Sequence, residues 1–361
     1  MSDEIGVSRI VQKKSLSRSN KMSQIKEKRR KRTKKLLGFF LFIFLLMIVS
    51  VGSYAYLKFD GALDKIVRQG TSPKASAMSH SVDHGDTPSE SKPFSLAIIG
   101  TDNRPGSGGT LNTDVMLVAF VNPEKHSVHL LSIPRDTKVK IPGYSGYRKA
   151  NSTYVLGEMA KHKQEKNDEE ITITGPSLVK EMLSGFLQVP IDYYVTIDFN
   201  GFKEVVDAVG GLEVDVEKSM EYDSYIDDTH IHLKKGLQTL DGENTLDYIR
   251  HRLDNRGANY QSSDFERNER QQKVIKLLLA KIASAKGIKS IPDIIDSIAD
   301  HSATDIPKDM MKELILNFKL YSSDAVHTIP NEAYWDSKEN FSIIPEERLA
   351  AIQAEVERIL K

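Results

Sequence analysis

Cysteine is absent from this 361-residue chain. Disulfides, thiolate zinc sites and cysteine nucleophiles are therefore excluded. The absence leaves the compartment open, but it argues against a eukaryotic secreted domain, where disulfides are common. The sequence also lacks a Gly-rich Walker loop, a His-Glu-x-x-His helix and a Gly-x-Ser-x-Gly elbow. Metalloproteases and serine hydrolases of those types drop out. No internal repeat is present, and the histidines are scattered and read as incidental. Net charge is missing as well, because 50 Lys and Arg balance 50 Asp and Glu.

The balance hides an asymmetry. Residues 1–35 hold thirteen Lys or Arg against Asp3, Glu4 and Glu27, a net of +10, so the rest of the chain carries −10. The run Lys28-Arg29-Arg30-Lys31-Arg32 has no helix-turn-helix context, so it supports only nonspecific contact with nucleic acid. Leu36 to Leu57 follows as an uncharged, mostly apolar run of 22 residues. As a helix it rises about 33 Å, enough to cross a hydrocarbon core of roughly 30 Å. The run is longer than the apolar core of a signal peptide, and no small-x-small site sits cleanly behind it. It reads as an uncleaved anchor, with Tyr54 and Tyr56 at the far interface. The positive-inside rule then gives a single-pass type II protein of the cell membrane, its folded part outside. The basic tail is mainly a topology signal, with room for contact to anionic lipid.

Five segments follow: a basic tail (1–35), a transmembrane helix (36–57), an extracytoplasmic linker (58–93), a folded domain (94–285) and a C-terminal extension packed on it (286–361). Around Gly70 to Ser76 and Ser79 to Ser91 no apolar periodicity is present. Apolar runs predict strands over Phe94–Gly100, Val115–Val121, Val128–Ile133, Tyr193–Ile197 and from Val214. Helices are predicted over Ala150–Lys161, Ser177–Phe186 and Phe202–Val209, from a cap at Thr239 or Asp241 to Ile249, and over Asp264–Ala285. Gln164 to Glu170 reads as a charged loop. Beyond 285, helices over Lys308–Phe318 and Pro345–Leu360 flank a strand at Ala325–Ile329. Interleaved strands and helices predict an α/β fold, an α-β-α sandwich around a mixed central sheet.

Arginines and aspartates at predicted element ends carry the chemistry. Asp102 follows the first strand and Asp114 precedes the second, so the two can converge at one rim. Turn capping is one reading of them; a shared hard divalent cation is the other. Arg135 leaves the third strand beside Asp136, as an ion pair or as an anion ligand. Arg250 and Arg252 point to one side if the backbone there is extended. Arg267 and Gln271 lie i,i+4 on the longest helix, with Arg270 at i,i+3 on the same face and Asp264 placed to cap. Planar guanidinium forks suit phosphate oxygens.

The order of these motifs resembles the LytR-CpsA-Psr family of bacterial cell-wall enzymes over about Phe94 to Ala285. The matching text includes Ile99-Gly100-Thr101-Asp102-Asn103-Arg104, Asn112-Thr113-Asp114, Ile133-Pro134-Arg135-Asp136 and Lys149-Ala150-Asn151. It continues with Leu240-Asp241-Gly242-Glu243, Tyr248-Ile249-Arg250-His251-Arg252 and Arg267-Asn268-Glu269-Arg270-Gln271-Gln272. The resemblance implies transfer of a glycopolymer phosphate from an undecaprenyl-pyrophosphate carrier to the 6-hydroxyl of peptidoglycan N-acetylmuramic acid. It implies an apolar tunnel for the lipid and an arginine-rich mouth. Asp102 and Asp114 would hold Mg2+ (or Mn2+) or act as base. Arg135, Lys149, Arg250, Arg252, Arg267 and Gln271 would grip the pyrophosphate, with Arg135 and Arg250 counted as catalytic. The implied partners are the polyprenyl-pyrophosphate-linked glycopolymer, peptidoglycan and the cell membrane. Ser262-Ser263 stands where the family often has Gly, and Gly257-Ala258-Asn259-Tyr260 is unusual. Rival readings are a membrane-bound transcriptional regulator, a carrier-binding protein without turnover, and a pyrophosphatase in which water replaces the acceptor hydroxyl.

Overall fold

The computed structural model describes residues 57–70, 92–102, 113–225, 229–317 and 325–361. The predicted membrane span lies almost wholly outside them. Among the described residues, no helix is long and apolar enough to cross a membrane. Residues 57–70 are helical and form α1; all but Leu57, the expected end of the span, were expected as linker. Their Ala62, Leu63 and Ile66 fall at i, i+1 and i+4, and all three are buried. Ala62 and Ile66 sit against Ile295, Ile298, Ala299 and Met311, and Lys308 binds Asp60 at 2.6 Å and Asp64 at 2.8 Å.

The central sheet begins with a meander of β1 (Phe94–Thr101), β2 (Thr113–Asn122) and β3 (Ser127–Ser132). A small hairpin, β4 (Lys138–Lys140) with β5 (Tyr147–Lys149), leads into α2 (Ser152–Lys166). α2 runs into the stretch expected as a charged loop. α3 (Gly175–Leu187) starts at Thr174, whose hydroxyl accepts from Ser177 N, with Pro176 in the first turn. β6 (Tyr193–Asp198) returns parallel to β1. Then come α4 (Phe199–Ala208), β7 (Leu212–Val216), the pair β8 (Met220–Ser224) and β9 (Thr229–Leu233), and β10 (Gly236–Leu240) against β7.

α5 (Gly242–Arg250) begins at Asp241, which accepts from Asn244 N at 2.9 Å. The long helix expected over 264–285 is α6 (Asp264–Ala283), closed where Ser284 turns extended, and a further helix, α7 (Ala285–Ile298), follows it. β11 (Ser302–Thr304), α8 (Lys308–Asn317), β12 (Val326–Ile329), the hairpin of β13 (Tyr334–Asp336) and β14 (Phe341–Ile343), and α9 (Glu346–Leu360) complete the chain.

The sheet order is β11-β6-β1-β2-β3-β12, mixed in direction. Residues after 285 therefore supply both edge strands. On one face Ala97, Ile99, Met116, Val118 and Phe120 pack on Leu178, Val179, Met182 and Leu183 of α3 and on Ile352 and Val356 of α9. On the other, Leu96, Ile98 and Val121 meet Ile275 and Leu279 of α6 and Met310 and Leu314 of α8. This is an α-β-α sandwich. The two faces differ in closure. The sheet and α3 residues named on the first face are all buried, whereas Leu96, Ile98, Tyr193, Ile275 and Leu279 on the α6 side are only half-buried.

Candidate functional site

The site is built where four strand ends meet. Thr101 of β1 pairs with Thr113 of β2 and with Asp198 of β6. The β1–β2 register slips there: Gly100 faces Val115, yet Thr101 faces Thr113, which leaves Asp114 as the extra residue of a β-bulge. Asp102 is the residue that follows β1. The backbone thus sets Asp102 and Asp114 at one rim, as their sequence positions suggested.

β3 ends at the same rim. Ile133 is buried and donates its N–H to Met116 O at 2.9 Å. Pro134 O then accepts from Thr137 N at 2.9 Å and from Thr137 Oγ1 at 2.6 Å, which closes a tight turn. Asn151 N reaches Arg135 O at 2.9 Å. Arg135 is held by its backbone on both sides. Asp136 is buried beside it, with Lys149 Nζ at 3.1 Å and Arg135 Nε at 3.7 Å.

Arg250 is the last residue of α5, and its Cζ stands 4.8 Å from the centre of the Phe199 ring. His251 leaves the helix at φ −53°, ψ 118°. That extended exit sends His251 inward and Arg252 outward. His251 is fully buried between Ser262 Oγ at 2.9 Å and Asp254 Oδ2 at 3.2 Å. Asp254 also takes two hydrogen bonds from the Arg256 guanidinium, at 2.9 and 2.7 Å. Those bonds pull its carboxyl far below the usual range. Burial, and then the charge of Arg270, hold the His251 imidazole below its ordinary value. His251 is a structural member of the site and not an incidental residue.

On α6, Arg267 and Gln271 are buried, 7 % and 5 % exposed. The cap differs from expectation. Ser263 accepts from Glu266 N, and Glu266 accepts from Ser263 N at 2.6 Å and Lys218 Nζ at 2.8 Å. Ser263-Asp264-Phe265-Glu266 is a capping box that the sequence displays and that points to Ser263 ahead of Asp264. Arg270 also departs from expectation. It turns from the cleft and donates to Tyr248 O at 2.7 Å and His251 O at 3.0 Å. It therefore fixes the extended junction carrying Arg250 and Arg252.

Arg135, Arg250, Arg252, Arg267 and Gln271 line a single open cleft of about 170 Å³, with Phe199, Tyr222, Ile231 and Ile249 as its apolar walls. Tyr222 and Ile231 come from β8 and β9, a hairpin the sequence reading did not anticipate. Lys149 does not line the cleft; it is linked to it through Asp136. Among the described residues no group of three or more His, Asp or Glu is placed to hold a metal. Two aspartates whose backbones meet at one rim are nonetheless residues of the type a hard cation accepts, once substrate oxygens complete the set. The arrangement can bind a multiply charged anion, shield it between apolar walls and offer it carboxylates nearby.

A family profile described as the LytR_cpsA_psr family matches residues 53–358. The chain is 32% identical over 266 residues to the polyisoprenyl-teichoic acid–peptidoglycan teichoic acid transferase TagV of Bacillus subtilis, covering 73% of this chain and 61% of that relative. It is 28% identical over 327 residues to the transferase TagU of Enterococcus faecalis, covering 90% of this chain and 95% of the relative. The crystal structure of B. subtilis TagV superposes with a TM-score of 0.58 at 29% identity, over 75% of this chain and 98% of that one. On the extent of the profile and this shared fold, the chain belongs to the LytR_cpsA_psr family, and the relatives it matches are transferase enzymes.

Proposed function

We propose that this protein is a membrane-anchored phosphotransferase that moves an anionic glycopolymer from a polyprenyl-pyrophosphate carrier to a peptidoglycan hydroxyl, the 6-hydroxyl of N-acetylmuramic acid. The observation that carries the reading is the convergence of four arginines and Gln271 on one cleft. Guanidinium forks of this number match the oxygens of a pyrophosphate and little else of its size. The relatives' substrates, polyisoprenyl-linked teichoic acid and peptidoglycan, are of the same chemistry. The half-buried apolar layer between β1 and α6 supports a place for the polyprenyl chain. The anchor at 36–57 would hold the enzyme in the membrane that holds the carrier.

In the reaction, the acceptor oxygen forms a bond to the phosphorus that bears the glycopolymer. The bond from that phosphorus to the bridging oxygen breaks, and polyprenyl phosphate leaves. The hydroxyl proton passes to one of the two rim carboxylates. Arg135, Arg250, Arg252 and Arg267 bind and orient the pyrophosphate and meet the charge that grows on the leaving oxygen. Asp102 and Asp114 would hold Mg2+ or Mn2+, which would supply further neutralisation of that charge.

The test incubates the full-length protein with a polyprenyl-pyrophosphate glycan, a glycan-strand acceptor and magnesium. Covalent glycopolymer on the strand is expected, lost in Asp102→Asn and Asp114→Asn. Release of free glycan phosphate with no transfer would make the protein a pyrophosphatase. Binding without product would make it a carrier-binding protein.

A further inference from the structure

Two small hairpins stand beside Arg135, outside the cleft. β4 and β5 pair Lys138 with Lys149 and Lys140 with Tyr147. β13 and β14 pair Trp335 with Ser342, and a bridge from Thr137 to Ser342 joins the hairpins. Val139 and Ile344 anchor them in the core. Their outer side keeps aromatics open: Tyr147 is 53% exposed and Trp335 41%. Each ring leaves much of its apolar area in solvent, open to contact with a partner.

The rings are held in place. Lys149 Nζ lies 5.3 Å from the Trp335 ring centre. Lys138 Nζ lies 4.7 Å and Lys140 Nζ 5.4 Å from that of Tyr147. These cations steady each ring while leaving much of it in solvent. Tyr147 and Lys149 are two apart on β5 and project to the same side. The platform is continuous with the cleft. Lys149 contacts one oxygen of Asp136, and the other oxygen faces Arg135 Nε at 3.7 Å.

Charge decides the occupant. Lys138 pairs with Glu339 and Lys149 with Asp136, while Asp336 lies across the hairpin from Phe341. A polyanion or an anionic bilayer calls for a field of one sign, and this surface mixes both. Flat aromatic faces ringed by donors and acceptors suit pyranose rings, which present C–H faces and hydroxyl edges.

We propose that Trp335 and Tyr147 form a stacking platform for the N-acetylhexosamine rings of the acceptor glycan strand, which guides its hydroxyl to the cleft. The proposal rests on the transferase reading above. Trp335 is the only tryptophan of the chain, so its emission reports on the platform alone. Full-length protein in detergent is titrated in turn with soluble uncrosslinked peptidoglycan strands, with teichoic acid chains and with phosphatidylglycerol vesicles. Strands alone are expected to shift the emission, to saturation. In the transfer assay, Trp335→Ala and Tyr147→Ala are expected to raise the acceptor KM about tenfold, with kcat and donor KM held within about twofold. Trp335→Phe keeps an aromatic face and is expected to restore most of the acceptor affinity. An emission that follows teichoic acid or vesicles in place of strands overturns the platform. So does an unchanged acceptor KM in both alanine variants while transfer proceeds, an outcome that leaves the transferase reading intact. Emission that follows strands in a protein that transfers nothing sustains the platform and removes the transferase reading.

Discussion

Arg250 shows how one residue's chemistry becomes testable. Its guanidinium lies over the Phe199 ring and lines the anion cleft. A lysine keeps the charge but loses the planar fork and most of the stacking surface. Arg250→Lys is expected to lower the transfer rate about a hundredfold, on the scale of losing one oxyanion donor, with an unchanged melting temperature. Arg358→Lys, on the exposed side of α9, is the control and is expected to change neither. A rate within twofold of the parent for Arg250→Lys would remove it from the clamp. The residues that line the cleft were legible in the sequence because each lies at an element end or on an i,i+4 spacing. Arg270 was not separable from them. Its partners are the carbonyls of Tyr248 and His251, about twenty residues away, and only the tertiary fold brings them within reach.

The end of α5 with the loop after it behaves as one braced element, and its bracing titrates. His251 is buried with its imidazole pKa depressed. In the unfolded chain it takes a proton below about pH 6.5. Its contribution to stability is therefore present above that pH and lost as the pH falls toward the folded value. Asp247, in the same helix, is shifted the other way. Burial, with the charge of Glu243 adding, pushes its carboxyl up to about 6. Its contribution is present below the unfolded value of about 3.9 and lost as the pH rises through 6. The two slopes oppose one another below about pH 6, where both groups change protonation. Asp247→Asn is expected to be more stable than the parent at pH 7.5, by roughly 1–3 kcal/mol, with the gap closing by pH 4. Urea midpoints across that range check it; an equal midpoint at pH 7.5 would show that the carboxylate is well solvated. Other elements were less legible. β8 and β9 carry Glu221, Asp223, His230 and His232 on their outer side, so they read as polar until Tyr222 and Ile231 are seen facing the cleft. The helix α7, which follows α6 after the single residue Ser284, was not expected, because Pro292 inside it works against a helical reading.

At the scale of the molecule, the sheet gathers its strands from far along the chain. β12 lies parallel to β3 and β11 antiparallel to β6, so the edges depend on residues more than 100 positions from the strands they cover. Sequence reading found the strand at 326–329 but not its partner, because pairing of distant segments leaves no local pattern. α1 is the other case. Its Ala62, Leu63 and Ile66 were too few to stand out beside the apolar run that ends at residue 57, yet they are buried in the folded unit. The folded unit thus begins within a few residues of the expected anchor, and the arginine cleft follows in the same chain. A cleft for a lipid-linked pyrophosphate is useful only on the side of the membrane where peptidoglycan lies. The +10 charge of residues 1–35 leads us to propose, by the positive-inside rule, that those residues lie on the opposite side. Intact protoplasts carrying the full-length protein are therefore expected to lose the folded unit to added protease and to retain a membrane fragment of the first sixty or so residues. A folded unit that survives protease until the membrane is opened would place the cleft in the cytoplasm, away from peptidoglycan, and would end the transferase reading with it.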